Sequence, residues 1–239
     1  MPTSNKYLIT PVLEAAEQIN PKTILDIGIG FGKWGFLLRE YLELFHCKSD
    51  PFRTDSEKKW LLRIDGVEIY EKYITSIQRN IYDHIFIGDI LTVIDKLHNY
   101  DLIILGDVIE HFSKEEGQIL IHKCINKSNK AILITTPVLF HNQKDIFANQ
   151  AERHKSIWTK ADFKFFQHTQ LYYNRGNIII IISKLNQIYK IENTYSLLSK
   201  AIHDFIANKQ SGNIEKYGIS NFNNGFLLRF HYFLKKYFF

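Results

Sequence analysis

The sequence predicts an α/β fold in which helices cover both faces of a doubly wound, mostly parallel sheet. Short apolar segments alternate with segments of helical periodicity along most of the chain, which is typical of repeated strand–helix units. Segments such as 102–105 and 131–135 are apolar at nearly every position, as expected for parallel strands that are buried on both sides. Two later strand-like segments flank Asn174-Arg175-Gly176, and this turn predicts a C-terminal antiparallel hairpin.

Caps, apolar runs and turn residues place the elements in order. Thr10 is the predicted cap of the first helix, with Pro11 in its first turn. Thr159 caps a short helix, and Asp162 is its capping-box partner. The predicted helices cover 10–19, 33–44, a segment that ends near 79, 90–97, 113–126 and a short turn after 159. The predicted strands cover 23–27, 63–68, 84–87, 101–105, 130–135, 165–173 and 177–183.

The composition fits a globular protein of one domain with an appendage. The chain has 239 residues, of which 45% are hydrophobic and 23% are charged, so it can bury a large core. No apolar run approaches the ~18 residues of a membrane-spanning helix, and the N-terminus lacks a signal-peptide pattern. Cys47 and Cys124 cannot build a disulfide framework, and no cysteine–histidine cluster has zinc spacing. We therefore predict a cytoplasmic protein without a metal site.

A glycine-rich turn follows the first strand. Gly28, Gly30 and Gly32 alternate after Asp26, and glycine lets a backbone turn tightly and approach a ligand closely. Gly30, Gly32 and Gly35 also match the dinucleotide pattern GxGxxG. That match begins two residues late, because Gly28 already ends the strand, and Asp26 would bring a negative charge towards a diphosphate. The glycines therefore indicate a ligand site without establishing a dinucleotide.

Acidic residues recur where the next three strands end. Glu68, Asp89 and Asp107 each lie at or just after such an end. Ligands of open α/β sheets bind outside the carboxyl ends of the strands, so we expect these side chains to surround one ligand. A crowded acidic rim repels the phosphates of NAD and suits a ligand with a net positive charge and no phosphate.

These motifs resemble those of the class I S-adenosylmethionine-dependent methyltransferases, over about residues 20–184. Asp26-x-Gly28-x-Gly30-x-Gly32 is similar to their first motif, although Ile29 stands where cysteine is common. Glu68 matches their ribose-binding acid and Asp89 their adenine-contacting acid. Residues 107–111 resemble the DxxEH segment of small-molecule and glycan methyltransferases, and 152–159 resemble the E-x-H-x-x-x-W-[ST] stretch of some relatives.

The resemblance implies a Rossmann-like methyltransferase domain over residues 1–184, with a polar, proline-containing surface insertion at 46–60. It also implies S-adenosyl-L-methionine as the cofactor and in-line methyl transfer to a small-molecule or glycan acceptor. Two other functions stay open: a noncatalytic domain that binds S-adenosylmethionine, and an NAD-dependent oxidoreductase.

Each acidic residue has a binding role and a structural alternative. The Glu68 carboxylate can accept hydrogen bonds from both ribose hydroxyls. Asp89 can accept from the adenine amino group while the Ile90 N–H reaches a ring nitrogen, or it can cap the following helix. Asp26 and Asp107 would both attract the cationic sulfonium end of the cofactor. The structural alternative for Asp26 is to brace the glycine turn, and the alternative for Asp107 is to start a helix.

His111 and His154 are the candidate catalytic residues, because histidine titrates near neutral pH and could take a proton from the acceptor. The alternative for each is a hydrogen bond that orders its loop, and Glu110 is interpreted as a loop-ordering acid. Residues 138–158 are long and irregular, so we expect them to cover the acceptor.

Residues 185–239 lie outside the resemblance and are predicted to form a C-terminal helical appendage. Its aromatic residues recur at helical spacing at Phe222, Phe226, Phe230, Phe233 and Tyr237. This stripe favours packing on the main domain or in a homodimer, with peripheral membrane contact as the alternative. The net charge is +5, and without a dense basic stripe we expect no nucleic-acid partner.

Overall fold

A computed structural model describes residues 3–44, 60–139 and 149–191 of the chain. Its strands are β1 (Thr23–Ile27), β2 (Arg63–Glu68), β3 (His84–Ile87), β4 (Tyr100–Gly106), β5 (Ser128–Pro137), β6 (Thr169–Asn174) and β7 (Asn177–Ser183). They form one sheet in the order β3-β2-β1-β4-β5-β7-β6. Strands β1 to β5 pair in parallel, whereas β7 is antiparallel to both β5 and β6. The predicted fold class is confirmed.

Helices pack on both faces of the sheet. The α-helices of the described residues are α1 (Ile9–Ile19), α2 (Lys33–Arg39), α3 (Ser76–Ile81), α4 (Ile90–Val93) and α5 (Lys114–Lys127). Along β4, Leu102 and Ile104 face the core beneath α1 and α2. Ile103 and Leu105 face the opposite core, beneath α4 and α5. Because successive strand residues point to opposite faces, a strand that is covered on both sides must be apolar throughout.

Two helix boundaries differ from the sequence prediction. Thr10 is the second residue of α1 and not its cap, because the 3-10 helix Lys6–Leu8 runs directly into α1. The helix predicted over 33–44 is α-helical only to Arg39 and continues as a π-helical turn, Glu40–Leu44. This turn buries Glu43, whose carboxylate accepts a hydrogen bond from the Leu61 N–H at 2.6 Å.

The helix predicted after β2 is divided into two pieces. A 3-10 helix spans Glu71–Tyr73, and α3 begins only at Ser76. Ile74 and Thr75 lie between them with extended backbones. Thr75 and Gln78 form a capping box at the start of α3. This cap starts a new helix at Ser76, where the spacing of apolar residues had predicted one continuous helix.

The hairpin turn follows the prediction, and its first strand is shorter. Arg175 and Gly176 have φ angles of 42° and 83°, and positive φ at both central residues gives the type I′ turn that suits the twist of a hairpin. Strand β6 begins at Thr169 instead of 165. Phe163 and Phe166, which precede β6, are buried in the core. The chain therefore still turns at these residues and becomes extended only at Thr169. The predicted capping box holds, since the Asp162 carboxylate accepts from the Thr159 N–H at 2.6 Å.

Several sequence predictions lie outside the described residues. These are the insertion apart from residue 60, the middle of the 138–158 segment, and the appendage with its aromatic stripe from residue 192 onward. Among the described helices, none combines the length and apolar character that crossing a membrane requires.

Candidate active site

A cavity of about 450 Å³ opens at the carboxyl ends of β1, β2 and β4. The sheet order reverses between β1 and β4, and such a switch point is where open α/β sheets bind ligands. The volume lies in the ordinary range of small-molecule pockets. The wall contains residues 3–5, 27–30, 33–34, 67–69, 88–91, 106–108, 110–112, 116, 137, 149, 151–152, 154–155 and 175–177.

The glycine turn forms one side of the cavity. Gly28, Gly30 and Gly32 have φ angles of 72°, 50° and 82°, a region that side chains disfavour. A Cβ at Gly28 would also lie 2.7 Å from the Val108 Cγ2. Gly28 and Gly30 line the cavity, whereas Gly32 does not. Gly32 instead precedes the first residue of α2 as its cap.

Glu68 joins the glycine turn to the end of β2. Its side chain lines the cavity but is only 4% exposed. One carboxylate oxygen accepts from the Gly30 N–H at 2.9 Å, and the other accepts from the Tyr70 N–H at 2.9 Å. Burial raises the pKa of this carboxyl group. Because each carboxylate oxygen can accept a second hydrogen bond, Glu68 retains acceptor capacity for a ligand.

Asp89 and Ile90 line the cavity at the end of β3. The Asp89 Oδ1 accepts from the Leu91 N–H at 2.9 Å and caps α4. The structural alternative for Asp89 is thus confirmed, and the residue is also exposed at the cavity wall. Its contact with an adenine ring stays a prediction.

Asp107 occupies a strained position at the end of β4. Its φ angle is 56°, which non-glycine residues adopt at a cost of about 1–3 kcal/mol. Thr135 stabilises this conformation, since its hydroxyl donates to the Asp107 Oδ1 at 2.8 Å and its carbonyl accepts from the Asp107 N–H at 3.0 Å. Burial raises the pKa of Asp107 and lowers that of Lys33, whose charge is attracted to Asp107.

Asp26 lies beneath the glycine turn and does not line the cavity. It is fully buried, and its Oδ2 accepts from the Tyr82 hydroxyl at 2.6 Å. That hydroxyl accepts in turn from the Gly35 N–H at 3.1 Å. No group in the described residues hydrogen-bonds the Asp26 Oδ1, and burial raises the pKa of Asp26 to about 7. These contacts suit the bracing of the turn.

His111 and His154 lie next to each other in the cavity wall. Their ring centroids are 5.0 Å apart, at 76° between the planes. His111 lies in the 3-10 helix Ile109–His111, and its Nδ1 is 3.2 Å from the Arg153 carbonyl oxygen. The backbone carbonyl of Glu110 accepts from the Lys155 and Ser156 N–H groups at 2.7 and 3.1 Å. It is therefore the Glu110 backbone that orders this loop.

The 152–159 motif folds back on residues 109–111. The Trp158 indole N–H donates to the Ile109 carbonyl at 3.0 Å, and Trp158 is fully buried. The Tyr73 hydroxyl donates to the Glu152 carboxylate at 3.1 Å. These contacts bring His154 to His111, although 43 positions separate them in the sequence.

An N-terminal segment, residues 3–5, forms a wall of the cavity that the sequence did not predict. The Ser4 hydroxyl donates to the Gly106 carbonyl and accepts from the Trp34 indole N–H, both at 3.2 Å. The Lys33 ammonium donates to the Ser4 carbonyl at 2.7 Å. A short polar segment has no periodicity to identify it. Lys33 and Trp34 could have been found from their place directly after the glycine turn.

Known structures share this fold. A proposed O-methyltransferase from Nostoc punctiforme PCC 73102 aligns with a TM-score of 0.50 and 18% identity, over 74% of this chain and 56% of that chain. The N-terminal domain of EvdMO1, solved in the presence of SAH and D-fucose, aligns with a TM-score of 0.53 and 13% identity, over 76% of this chain and 84% of that one. This chain thus matches little more than half the length of the first neighbour.

The sequence comparisons add no relative, since no protein-family model matches the chain and no protein of curated function matches it. The structural likeness establishes the fold: this chain has the Rossmann-like sheet found in methyltransferase structures.

Proposed function

We propose that this protein is an S-adenosylmethionine-dependent methyltransferase with a small-molecule or glycan acceptor. The observation that carries this proposal is the convergence of Glu68, Asp89 and Asp107 with the glycine turn on one cavity at the switch point of the sheet. The fold neighbours support it, because one is a proposed O-methyltransferase and another is a domain solved in the presence of SAH.

The cavity fits a nucleoside cation that lacks phosphate. Gly28 lets Val108 pack closely against the glycine turn, since a Cβ at Gly28 would lie 2.7 Å from the Val108 Cγ2, and both residues line the cavity. The wall includes the apolar side chains of Ile27, Val67 and Ile90 beside the carboxylates. The cavity wall holds six acidic residues against three basic ones, Lys33, Lys155 and Arg175, so it would repel a diphosphate and attract a sulfonium and an ammonium group. This charge pattern favours S-adenosylmethionine over NAD.

Five residues of the cavity wall would bind different parts of the cofactor. Glu68 would accept from the ribose hydroxyls, and Asp89 and the Ile90 N–H would bind the adenine edge. Asp107 would face the amino group of the methionine end. The Lys33 ammonium lines the same end and would pair with the carboxylate of the cofactor.

When bound, S-adenosylmethionine supplies a methyl group on a positively charged sulfur, which is a good leaving group. The chain then has to orient the acceptor and exclude water. Residues 3–5, 149, 151–152 and 154–155 border the cavity beyond the strand ends and would cover the reactants. His111 and His154 would lie beside the acceptor.

The first test is calorimetry of the wild-type protein with S-adenosylmethionine and with NAD. We expect binding of the first and no binding of the second. Heat with NAD alone would overturn the proposal in favour of an oxidoreductase. Methyl-transfer assays over a panel of small-molecule and glycan acceptors follow, and binding without transfer to any acceptor would indicate a noncatalytic domain.

The Glu68→Gln variant tests the ribose-binding role. Because hydrogen bonds to a charged group contribute about 1.5–3 kcal/mol, we expect the affinity for S-adenosylmethionine to fall at least about tenfold. The matched control is Glu71→Gln, since Glu71 is exposed on the same connection and does not line the cavity. Equal affinities of the two variants would remove Glu68 from the binding site.

A further inference from the structure

Three potential metal ligands meet at the cavity wall, where the segment that carries His154 packs on the 3-10 helix Ile109–His111. Glu110, His111 and His154 each offer a ligand atom, and these atoms lie within 4.8 Å of one another. All three residues line the cavity wall. Glu110 and His111 are neighbours in the 3-10 helix Ile109–His111, while His154 comes from the segment that Trp158 holds against that helix.

The Glu110 carboxylate has an unsatisfied oxygen. Glu110 is only 2% exposed, burial raises the pKa of its carboxyl group well above the usual range, and within the described residues its Oε2 has no well-formed hydrogen bond, the Thr136 hydroxyl being the group that interacts with this carboxyl. A buried polar atom without a partner is costly, by about 1–3 kcal/mol and more for a charged group. Proteins retain such an atom where a ligand satisfies it, and a cation beside the two imidazoles would do so.

The His111 ring is already oriented for coordination. The Arg153 carbonyl can only accept a hydrogen bond, so the nitrogen that lies 3.2 Å from it, Nδ1, carries the proton in the neutral ring. The lone pair of the neutral imidazole is then on Nε2. A backbone carbonyl that binds the other ring nitrogen is the usual support of a metal-binding histidine.

We propose that Glu110, His111 and His154 bind one divalent transition-metal ion. Two imidazoles and one carboxylate suit first-row ions such as Mn²⁺, Fe²⁺, Co²⁺ and Zn²⁺. An ion about 2.0–2.2 Å from each ligand atom holds those atoms about 3–4.4 Å apart, so side-chain rotation closes the site from its present spacing. Three protein ligands leave coordination positions open towards the cavity.

The role of the ion rests on the proposed function. An open position at the acceptor end would bind an oxygen of the acceptor and hold it facing the cofactor. A bound cation also lowers the pKa of a coordinated hydroxyl group, which then releases its proton to water before attack. The acceptor class is therefore a molecule with a hydroxyl group that can coordinate a metal.

The test uses full-length, tag-free protein that has been stripped with a chelator and titrated with Co²⁺ while the visible absorption is recorded. We expect one bound Co²⁺ per chain and at least tenfold weaker binding in Glu110→Gln and in His154→Gln. His122→Gln is the matched control, because His122 is an exposed histidine on α5 outside the cavity. No Co²⁺ binding by the wild type, or unchanged binding in both ligand variants, would overturn the site.

Two further readouts keep the result interpretable. The first is NMR of the Co²⁺-loaded wild type, where two histidine ligands should give two exchangeable ring N–H signals shifted far outside the normal range. Their absence contradicts the site even if a variant fails to fold. The second is S-adenosylmethionine affinity without metal. Variants that no longer bind Co²⁺ but keep the wild-type affinity for S-adenosylmethionine support the metal site. A wild-type protein that binds Co²⁺ but not S-adenosylmethionine overturns the proposed function and leaves the metal site standing.

Discussion

At the scale of the residue, Asp26 is a carboxyl group in an unfavourable place. It begins the glycine motif, yet its side chain points to Tyr82 beneath the turn and not to the cavity. The sequence could indicate that this acid belongs to the turn. It could not separate ligand contact from bracing, because both roles need a short acidic side chain at the same position, and only the packing of Tyr82 distinguishes them.

The pH dependence of stability should reveal Asp26. Burial raises its pKa from 3.8 to about 7, so between these values the folded state binds more protons than the unfolded state. Stability from this group is therefore present at low pH and is lost as the pH rises through 7. Relative to wild type, we expect Asp26→Asn to gain about 2–3 kcal/mol in unfolding free energy between pH 5 and pH 8.

The measurement is urea unfolding of both proteins at each pH. The comparison with Asn is needed because burial also raises the pKa of Glu68 and Asp107, whose titration changes stability in both proteins alike. Asn keeps an oxygen that can accept from the Tyr82 hydroxyl, so the variant should retain the brace. A constant difference between the two proteins across this range would show that Asp26 does not titrate as its burial indicates.

At the scale of the element, the strands and the longer helices follow from the sequence, while the short irregular pieces do not. Strand β4 is recognisable because Leu102–Leu105 must be apolar on both faces. The 3-10 helix Ile109–His111 has no such pattern. Its position depends on Trp158, whose indole reaches it from a distant segment. The DxxEH segment and the 152–159 motif could therefore be recognised in the sequence, but the sequence did not predict that the two segments contact each other.

The Trp158→Phe variant tests this contact. The change removes the indole donor, while the Ile109 carbonyl keeps the Phe112 N–H at 3.2 Å and the Ser156 hydroxyl at 3.5 Å, so we expect the unfolding free energy to fall by about 0.5–1.5 kcal/mol. Because the turn that carries His111 loses its support, we also expect a lower kcat for methyl transfer with little change in cofactor affinity. Phe163→Leu is the control, since Phe163 packs against Trp158 with no polar group. If both variants lose kcat equally, the hydrogen bond is not what positions the turn.

At the scale of the whole molecule, the site is assembled from distant parts of the chain around the switch point of the sheet. The strand ends were predictable as a group, because parallel strands that end in Glu68, Asp89 and Asp107 must share one edge. The metal site that we propose was not, since Glu110 and His111 stand far in sequence from His154 and lack zinc spacing. The N-terminal wall gave no sequence signal either. Contacts with distant residues hold it in place: Ser4 bridges Gly106 and Trp34, and Lys33 binds the Ser4 and Asn5 carbonyls.

Deletion of residues 1–5 tests the contribution of this wall to binding. The deletion removes the bridge between Gly106 and Trp34 and the carbonyl groups that hold Lys33, so water reaches the methionine end of the cavity. We expect the affinity for S-adenosylmethionine to fall about tenfold or more.

Calorimetry measures the binding, and circular dichroism checks that the sheet is intact. The Ser4→Ala variant is the intermediate case, because it keeps the backbone carbonyl that binds Lys33 and removes only the hydroxyl bridge. We expect a loss of affinity because the wall excludes water or fixes Lys33. A truncated protein that binds S-adenosylmethionine as tightly as wild type would show that residues 3–5 cover the cavity without contributing to the affinity.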